Sequence, residues 1–587
     1  MEGSRDYAYY KEHAQDVKLD DITSSERNKN IIQKLRDGDS EFESYLGILD
    51  EAMEEDDDLE FILGEGDDLG WLGYFIGKNR RLGSLFIKCY LPPGTSFVEG
   101  ICRNRSIESL HIDCDVGDYL SLGSMLGNNS NLNSLQVGYS IGNAHDFAVA
   151  LGQRSYLKDL HFENLDLSDD FSDEEMSGIA QALSAQPQLE DIRLESIGFE
   201  GNGWATLATT FMGWGRNSKL KKLDLPFNNI GDEGLQSILG GIANCRNLVE
   251  LNLSGNSQIT VAGLRALSGF FQSKSCRLES LNLASMGVDD ERAIVLATGL
   301  TTHKSLKHLN LSQNGIGDEG IAALVSGLTA AANTSLETLN LSRNAFTIAG
   351  VRSLSTLIQS ERSTLKDLSL HSMRIDDDGI SILADALTNN TSLETLFLDL
   401  HGSTSAGSNI FSRLLCDTSS INNIYLSNHT LQTIGWSDQF IDEGKYFSLN
   451  RQGKQLNPIN RRLVPMCKIL IHHPDLADMK PFYKWKLKFI PVIADWFRSA
   501  RGCKGFFEES IETFQRRQLS AMYRFIRGVP MLVADGYWSQ QLKQVRVKKR
   551  QFEEVEKQLL EILEKKRKVE EEEMQVLDRL SGQRASL

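Results

Sequence analysis

Three stretches decide the fold: LKKLDLPFNNIGDEGLQSIL (220–239), LKHLNLSQNGIGDEGIAALV (306–325) and LETLNLSRNAFTIAGVRSLS (336–355). Each opens L-x-x-L-x-L-x-x-N-x-I/F, passes a Gly, and continues in apolar residues at helical spacing. Looser copies begin at Leu248, Leu278, Leu365, Leu393 and Ile421, and upstream at Leu189 and Leu157. Leu132, Ile107 and Leu82 fit the frame more weakly. The starts fall 25 to 32 residues apart, which makes about thirteen units. Chance does not repeat an eleven-residue apolar frame at near-constant spacing, so the chain is read as a repeat array.

The physics of one unit explains the pattern. Leu309 and Leu311 flank Asn310, the period-two rhythm of a short strand with one buried face. The Asn at the turn (228, 256, 314 and 344) is suited to bonding neighbouring backbone where the chain leaves the strand. Asp232 and Asp318 stand where a helix N-cap is expected, at the positive end of the helix dipole. Leu235, Ile238, Leu239 and Ile242 then have the spacing of an inner helix face. One unit cannot bury its own apolar surface, but a stack of them can.

These units, at 189–431 above all, resemble the ribonuclease-inhibitor-like leucine-rich repeats, a class that includes the repeat domains of NOD-like receptors and the Ran GTPase-activating protein. The resemblance implies an α/β solenoid shaped as a curved horseshoe, with parallel strands on a concave face and helices on a convex one. It also implies binding of a protein through the concave face or its rims. The weaker copies carry the match back to about residue 80.

Charge divides the rest. Residues 1–450 carry 34 basic and 63 acidic residues, residues 451–550 carry 21 and 7, and the last 37 net −3. The expected layout is therefore an acidic N-terminal segment and cap (1–80), a solenoid of about thirteen repeats (81–450), a basic aromatic-rich cap module (451–535) and a coiled-coil helix (536–587). Within 1–80, EEDDDLE at 54–60 reads as a solvated charge run, and LGWLGYFIGKNR at 69–80 as apolar enough to close the open end of the stack. Around Trp485, Phe489, Trp496 and Phe497 three readings stay open: a helical cap, a surface for nucleic acid or anionic lipid at 454–550, and attraction to the acidic repeats. Phe552, Leu559 and Leu580 fall on one heptad position with Lys566 and Glu573; Val555, Ile562, Val569 and Val576 follow three later. That seam predicts a homodimer or hetero-oligomer through 540–582.

No catalytic centre and no cofactor site is expected. GWLGYFIGKN at 70–79 fails as a phosphate loop, because Leu72 stands where the first Gly belongs and Asn79 follows Gly77-Lys78. His472-His473 has no Cys or carboxylate at metal-ligand spacing. The eight cysteines show no CxxC pair, and the polar start has no apolar h-region, so a cytoplasmic or nuclear protein is expected. No apolar run reaches the roughly 18 residues a membrane helix requires.

The chain therefore reads as a non-enzymatic interaction scaffold, with a GTPase activator like the Ran-specific one as the alternative that fold-level resemblance offers. A partner on the concave face would meet two rows. One runs Asp224, Asn252, Asn282, Asn310, Asn340, Ser369, Phe397 and Tyr425. The other runs Lys222, Glu250, Ser280, His308, Thr338, Asp367, Thr395 and Asn423. Phe397 and Tyr425 are the aromatic anchors of these rows, and the Asn column is either a structural ladder or a polar contact surface. The acidic balance of the array predicts a basic partner.

Overall fold

A computed structural model describes residues 6–38, 45–49, 59–64, 67–88, 95–114, 131–139, 144–153, 157–163, 173–197, 201–273, 275–330, 335–399, 404–435, 444–455 and 463–472. The basic-aromatic stretch after 472 and the heptad seam from Phe552 to Leu580 lie outside these residues. Two compact units divide the chain: 1–416 with 427–451, and 417–426 with 452–587.

The first unit is a solenoid. Its fifteen strands are β1 (Leu46–Leu49), β2 (Glu60–Ile62), β3 (Ser84–Lys88), β4 (Ser109–Cys114), β5 (Ser134–Tyr139), β6 (Asp159–Glu163), β7 (Asp191–Glu195), β8 (Lys222–Asp224), β9 (Glu250–Asn252), β10 (Ser280–Asn282), β11 (His308–Asn310), β12 (Thr338–Asn340), β13 (Asp367–Leu370), β14 (Thr395–Leu398) and β15 (Thr433–Ile434). They form one parallel sheet in the order β15 to β3, then β1, then β2. Among the described residues the chain returns through a helix between β2 and β3, between β3 and β4 and between each consecutive pair from β5 to β14, and in the central repeats each helix packs on the next: Asp232–Ile242, Val261–Phe271, Asp290–Leu300, Asp318–Thr329 and Ile348–Gln359. From β3 onward the strands alternate buried residues with half-buried or exposed ones, so one sheet face is covered and the other is open. Leu223, Leu251, Leu281, Leu309 and Leu339 lie under the sheet with Leu235, Leu264, Leu296, Leu324 and Leu354 from the helices, all buried. Apolar area removed from water is the main stabilising term.

Two polar devices tie neighbours together. Asn256 is fully buried; its Nδ2 donates to the carbonyls of Leu225 and Leu253 at 2.8 Å, and its Oδ1 accepts from Asn228 N and Ile230 N at 3.0 Å. Asn314 repeats this with Leu283, Leu311, Met286 and Val288. The second device differs from the sequence expectation. Asp232 does not cap its own helix, whose N-cap is Gly231 without a side-chain bond. Its carboxylate accepts from Thr260 N at 2.8 Å, Thr260 Oγ1 at 2.5 Å and Gly263 N at 2.9 Å, so it caps the helix of the next repeat. Asp318 does the same to Thr347 and Gly350, and Asp290 to Gly317 and Gly320. A residue one step inside one helix reaches the orphan N–H groups of its neighbour because the helices stack side by side.

The ends depart further from the sequence reading. Two strands precede residue 81, so the sheet starts earlier than expected. The edge strand β2 meets helix Glu26–Asp37, where Asn28 donates to Ile62 O at 2.6 Å and accepts from Ile62 N at 3.1 Å, replacing the missing neighbour strand. Glu60, the last residue of the supposed solvated run, is buried and lies 3.4 Å from Arg27. Helix Leu69–Lys78 begins the helical layer and packs on Thr95–Arg103; a Cβ at Gly100 would sit 1.9 Å from Gly73 O, so only glycine permits that approach.

At the other end, Ile421–Leu426 is a helix, and the last strand is Thr433–Ile434. Apolar residues at 421, 424 and 426 fit a helical turn as well as the strand frame. The deciding residue is Asn428, whose Oδ1 accepts from Thr430 N at 2.9 Å and Leu431 N at 2.8 Å. Asn79, Asn104 and Asn390 clasp the residues before β3, β4 and β14 in the same way. Asn-x-x-Leu/Ile therefore marks a strand start, and it occurs at 428–431 but not at 418–421.

Two outcomes follow from this packing. Asn256→Ala orphans several buried backbone groups, and urea unfolding is expected to show a loss of roughly 3 kcal/mol, against about 1 kcal/mol or less for Asn282→Ala, which makes a single half-buried turn bond. His303 is buried, bonds Leu278 O at 2.8 Å and lies against Phe271 with centroids 5.1 Å apart. Burial holds its pKa below the ordinary 6.5, offset by its backbone hydrogen bonds. The unfolded chain therefore takes the proton first: this contribution is complete above pH 6.5 and is lost as pH falls below it. Urea midpoints at pH 7.5 and pH 5 are expected to differ more for the parent than for His303→Gln.

Candidate functional site

The open strand face is built of the positions the apolar frame leaves undetermined. Strand pairing aligns Lys222, Glu250, Ser280, His308, Thr338, Asp367 and Thr395 in one row and Asp224, Asn252, Asn282, Asn310, Asn340, Ser369 and Phe397 in the next. Both rows carry the order read from sequence as far as β14. The last position of each does not hold: Asn423 and Tyr425 sit on the helix Ile421–Leu426, and Thr433 follows Thr395 in the sheet.

The Asn column bonds differently from a side-chain ladder. Oδ1 of Asn252, Asn282, Asn310 and Asn340 accepts from the backbone N–H two residues on, at 2.9, 3.1, 3.0 and 3.0 Å, so each Asn clasps its own turn. Only Asn252 is bonded along the row, donating to Asp224 Oδ1 at 2.5 Å. His308 is exposed on this face, its Nδ1 3.1 Å from Thr338 Oγ1. Phe397 is half-buried on β14.

The same row continues through strands whose units the sequence places at Leu82, Ile107, Leu132, Leu157 and Leu189 but whose face residues the two rows left out: Phe86, His111, Gln136, His161 and Arg193 precede Asp224. Here the face is charged. Asp159, Glu163, Asp191, Glu195 and Asp224 stand on β6 to β8, with Arg193, Lys222 and His161 among them. Arg193 Nε bonds Glu195 Oε2 at 3.1 Å and lies 3.8 Å from Asp224; His161 Nε2 is 3.4 Å from Asp191; Lys222 Nζ is 3.1 Å from Glu250. Phe86 meets His111 edge-on at 4.5 Å. Burial raises the pKa of Asp224, with Glu195 and Asp191 adding repulsion and Arg193 and Asn252 opposing. Asp159 is raised by burial and by Asp191, and burial lowers His111. The signal that could have found these residues is the alternation SLFIK, SLHID and SLQVG at 25-residue spacing, which lacks the Asn that made the later frame visible.

Such a face can ion-pair and hydrogen-bond over a long track. Among the described residues no group of three His, Cys, Asp or Glu is placed to hold a metal ion, and no helix is long and apolar enough to cross a membrane. On the helix side, a cavity of about 960 Å³ between Asp173–Ala182 and Gly201–Trp214 is lined by Gln181, Ser184, Thr206, Thr209 and Trp214 without a titratable group.

The repeating strand–turn–helix unit and its open strand face are those of a leucine-rich-repeat protein, and the repeats are of the ribonuclease-inhibitor-like class. A Leucine Rich repeat family profile matches residues 216–239, 244–268, 302–325 and 332–355. Pig ribonuclease inhibitor is 28% identical over 242 residues, covering 41% of this chain and 51% of that protein. Mouse NACHT, LRR and PYD domains-containing protein 14 is 29% identical over 219 residues, covering 37% and 22%, and Protein CARMIL of Dictyostelium discoideum is 28% identical over 303 residues, covering 42% and 28%. The chain thus spans about half the length of the first and less than a third of the others. Among solved structures, the yeast Rad7–Elc1 complex aligns with a TM-score of 0.38 at 19% identity, over 56% of this chain and 79% of that one.

The raised carboxylate gives a direct measurement. A folded-state pKa above the ordinary value means that Asp224 favours folding when protonated, and that this contribution is lost as pH rises from about 4. Asp224→Asn keeps an acceptor for Asn252 and removes the buried charge. Its melting temperature at pH 7 is expected to be no lower than the parent's, with the difference between the two shrinking toward pH 3.

Proposed function

We propose that this chain is a non-enzymatic protein-binding scaffold whose partner is a basic protein seated on the open strand face. The observation that carries the reading is the composition of that face: positions free of any role in the core hold surplus carboxylates on β6 to β8 and a polar Asn, His and Thr track on β9 to β12. Carboxylates held at a raised pKa oppose folding, so their presence is accounted for by something other than stability. Complementary charge steers a basic partner to this face and repels nucleic acid and anionic lipid from it. The curated relative named as a ribonuclease inhibitor supports binding of a protein rather than a small molecule.

On this reading Asn252, Asn282, Asn310, Asn340 and His308 are polar contacts and Phe397 is an apolar one. The heptad seam Phe552, Val555, Leu559, Ile562, Val569, Val576 and Leu580 joins two copies or engages a second protein, which would add avidity. Residues 451–535 form the terminal cap module, and the protein works in the cytoplasm or nucleus.

Affinity capture tests the reading. The full chain and a variant with Asn282→Arg and Asn310→Arg, which fills the track with two long cations, are compared for the proteins they retain. The variant is expected to lose its main basic partner at least tenfold while its circular dichroism is unchanged. Equal retention by both would remove the strand face as the binding site.

A further inference from the structure

Every central repeat turns out of its strand through a residue in the left-handed region. Ser196, Phe227, Gly255, Ser285, Gln313, Arg343 and Ser372 have φ of 50°, 56°, 75°, 55°, 55°, 55° and 56°. They form one row along the rim of the sheet: Phe227 N donates to Ser254 O, Gly255 N to Ala284 O, Ser285 N to Ser312 O and Gln313 N to Ser342 O, at 2.9 to 3.0 Å. The repeat therefore demands positive φ at this point, a conformation that disfavours bulky side chains. Six of the seven positions answer with Gly, Ser, Gln or Arg. Position 227 carries an aromatic.

Its ring is displayed. Phe227 is 53% exposed, and the other large apolar side chains this open among the described residues of the unit (Val149, Met212 and Ile294) lie on helices. Phe227 is thus the exposed apolar group of the strand side. It also has a prepared seat. A Cβ at Gly255 would lie 2.3 Å from Phe227 Cδ1 and 2.6 Å from Cε1, so the ring lies on a neighbour's backbone that only glycine leaves bare. An aromatic held against backbone loses little freedom when something binds it.

The surroundings choose the occupant. Glu195 directly precedes Ser196, the neighbour of Phe227 in the row, and Asp224 stands three residues before the ring on its own strand. With Glu163, Asp159 and Asp191 the carboxylates on β6 to β8 outnumber the cations Arg193 and Lys222, and Arg193 is already engaged by Glu195. A planar cation is the group that meets both features, its face on the ring and its N–H fork toward a carboxylate. We propose that Phe227 is an anchor for an arginine side chain of a basic partner segment, with the guanidinium over the ring and directed toward Glu195 and Asp224. The proposal rests on the basic-partner reading above and locates its hot spot at the rim. A lysine ammonium is bound less well there, having no plane to stack.

The test uses the full chain and two fluorescein-labelled peptides, six Arg-Gly pairs and six Lys-Gly pairs, followed by fluorescence anisotropy at low ionic strength. The parent is expected to bind the arginine peptide at least fivefold more tightly than the lysine peptide. Phe227→Ser, which installs the residue found at positions 196, 285 and 372, is expected to weaken the arginine peptide about tenfold and abolish that preference. Its melting temperature should not fall, and Phe227→Tyr, which keeps a ring, should retain binding. Equal affinity of parent and Phe227→Ser for the arginine peptide overturns the anchor. If the double variant Asp191→Asn with Asp224→Asn then weakens both peptides, the basic-partner reading survives without it. Failure of the parent to bind either peptide overturns both.

Discussion

The structure depends on one constraint: no repeat can satisfy its own buried polar groups. A turn buried under the stack leaves backbone N–H and C=O groups away from water, and each such group costs about 1–3 kcal/mol if unpaired. Asn256 resolves this for the turn before it and its own at once, taking N–H from Asn228 and Ile230 and giving to Leu225 and Leu253. Asp232 resolves it in the opposite direction, taking the first N–H groups of the helix that follows. The turn thus leans on the later repeat and the helix on the earlier one. Nearest-neighbour coupling of this kind is what makes a one-dimensional stack cooperative.

The same logic fixes which repeat sits beside which. At the second position of the frame, Glu279, Lys307, Glu337 and Lys366 alternate in sign, and Lys307–Glu279 and Lys366–Glu337 close at 2.6 Å. Surface pairs of this kind are worth about 0–1 kcal/mol each. Their role is in register more than in energy, because a repeat displaced by one place would set like charges together. At the N-terminal edge, where there is no further repeat, Asn28 supplies to Ile62 the donor and acceptor that a strand would have supplied.

How much of this the sequence discloses follows from how strictly each position is constrained. Strands β8 to β14 match the repeat frame because Leu at three positions is buried throughout, with buried Asn228, Asn256, Met286 and Met373 at a fourth in four of the repeats, and a buried position tolerates few residues. Strands β1 and β2 were not legible: β2 is the edge of the sheet and meets helix Glu26–Asp37 instead of another strand, so this end need not repeat the frame. The segment at 421 misled because apolar spacing of three is common to the strand frame and to a helical turn, and the Asn that distinguishes them lies seven residues on, at Asn428. The partial reading of Asp232 has a similar cause. Sequence places the carboxylate at a helix start, but only the lateral stacking of helices says whose N–H groups it meets.

The candidate face was legible only where the frame was intact, and this too has a physical reason. Binding residues occupy the positions that folding leaves free, so periodicity identifies the column and says nothing of its contents. The contents are informative where they work against the scaffold. Asn282 and Asn310 clasp their own turns and so serve the fold as well as the surface. Asp159 and Asp224 do the reverse, keeping half-buried carboxylates close to Asp191 and Glu195 at raised pKa. Phe227 likewise holds an aromatic in a turn that elsewhere takes small or flexible residues. These departures lie on neighbouring strands at one part of the sheet. A stack selected for stability alone would fill them with the Ser, Thr and Asn found on β10 to β12, and the difference between the two halves of the face is the mark of a function added to a fold that did not require it.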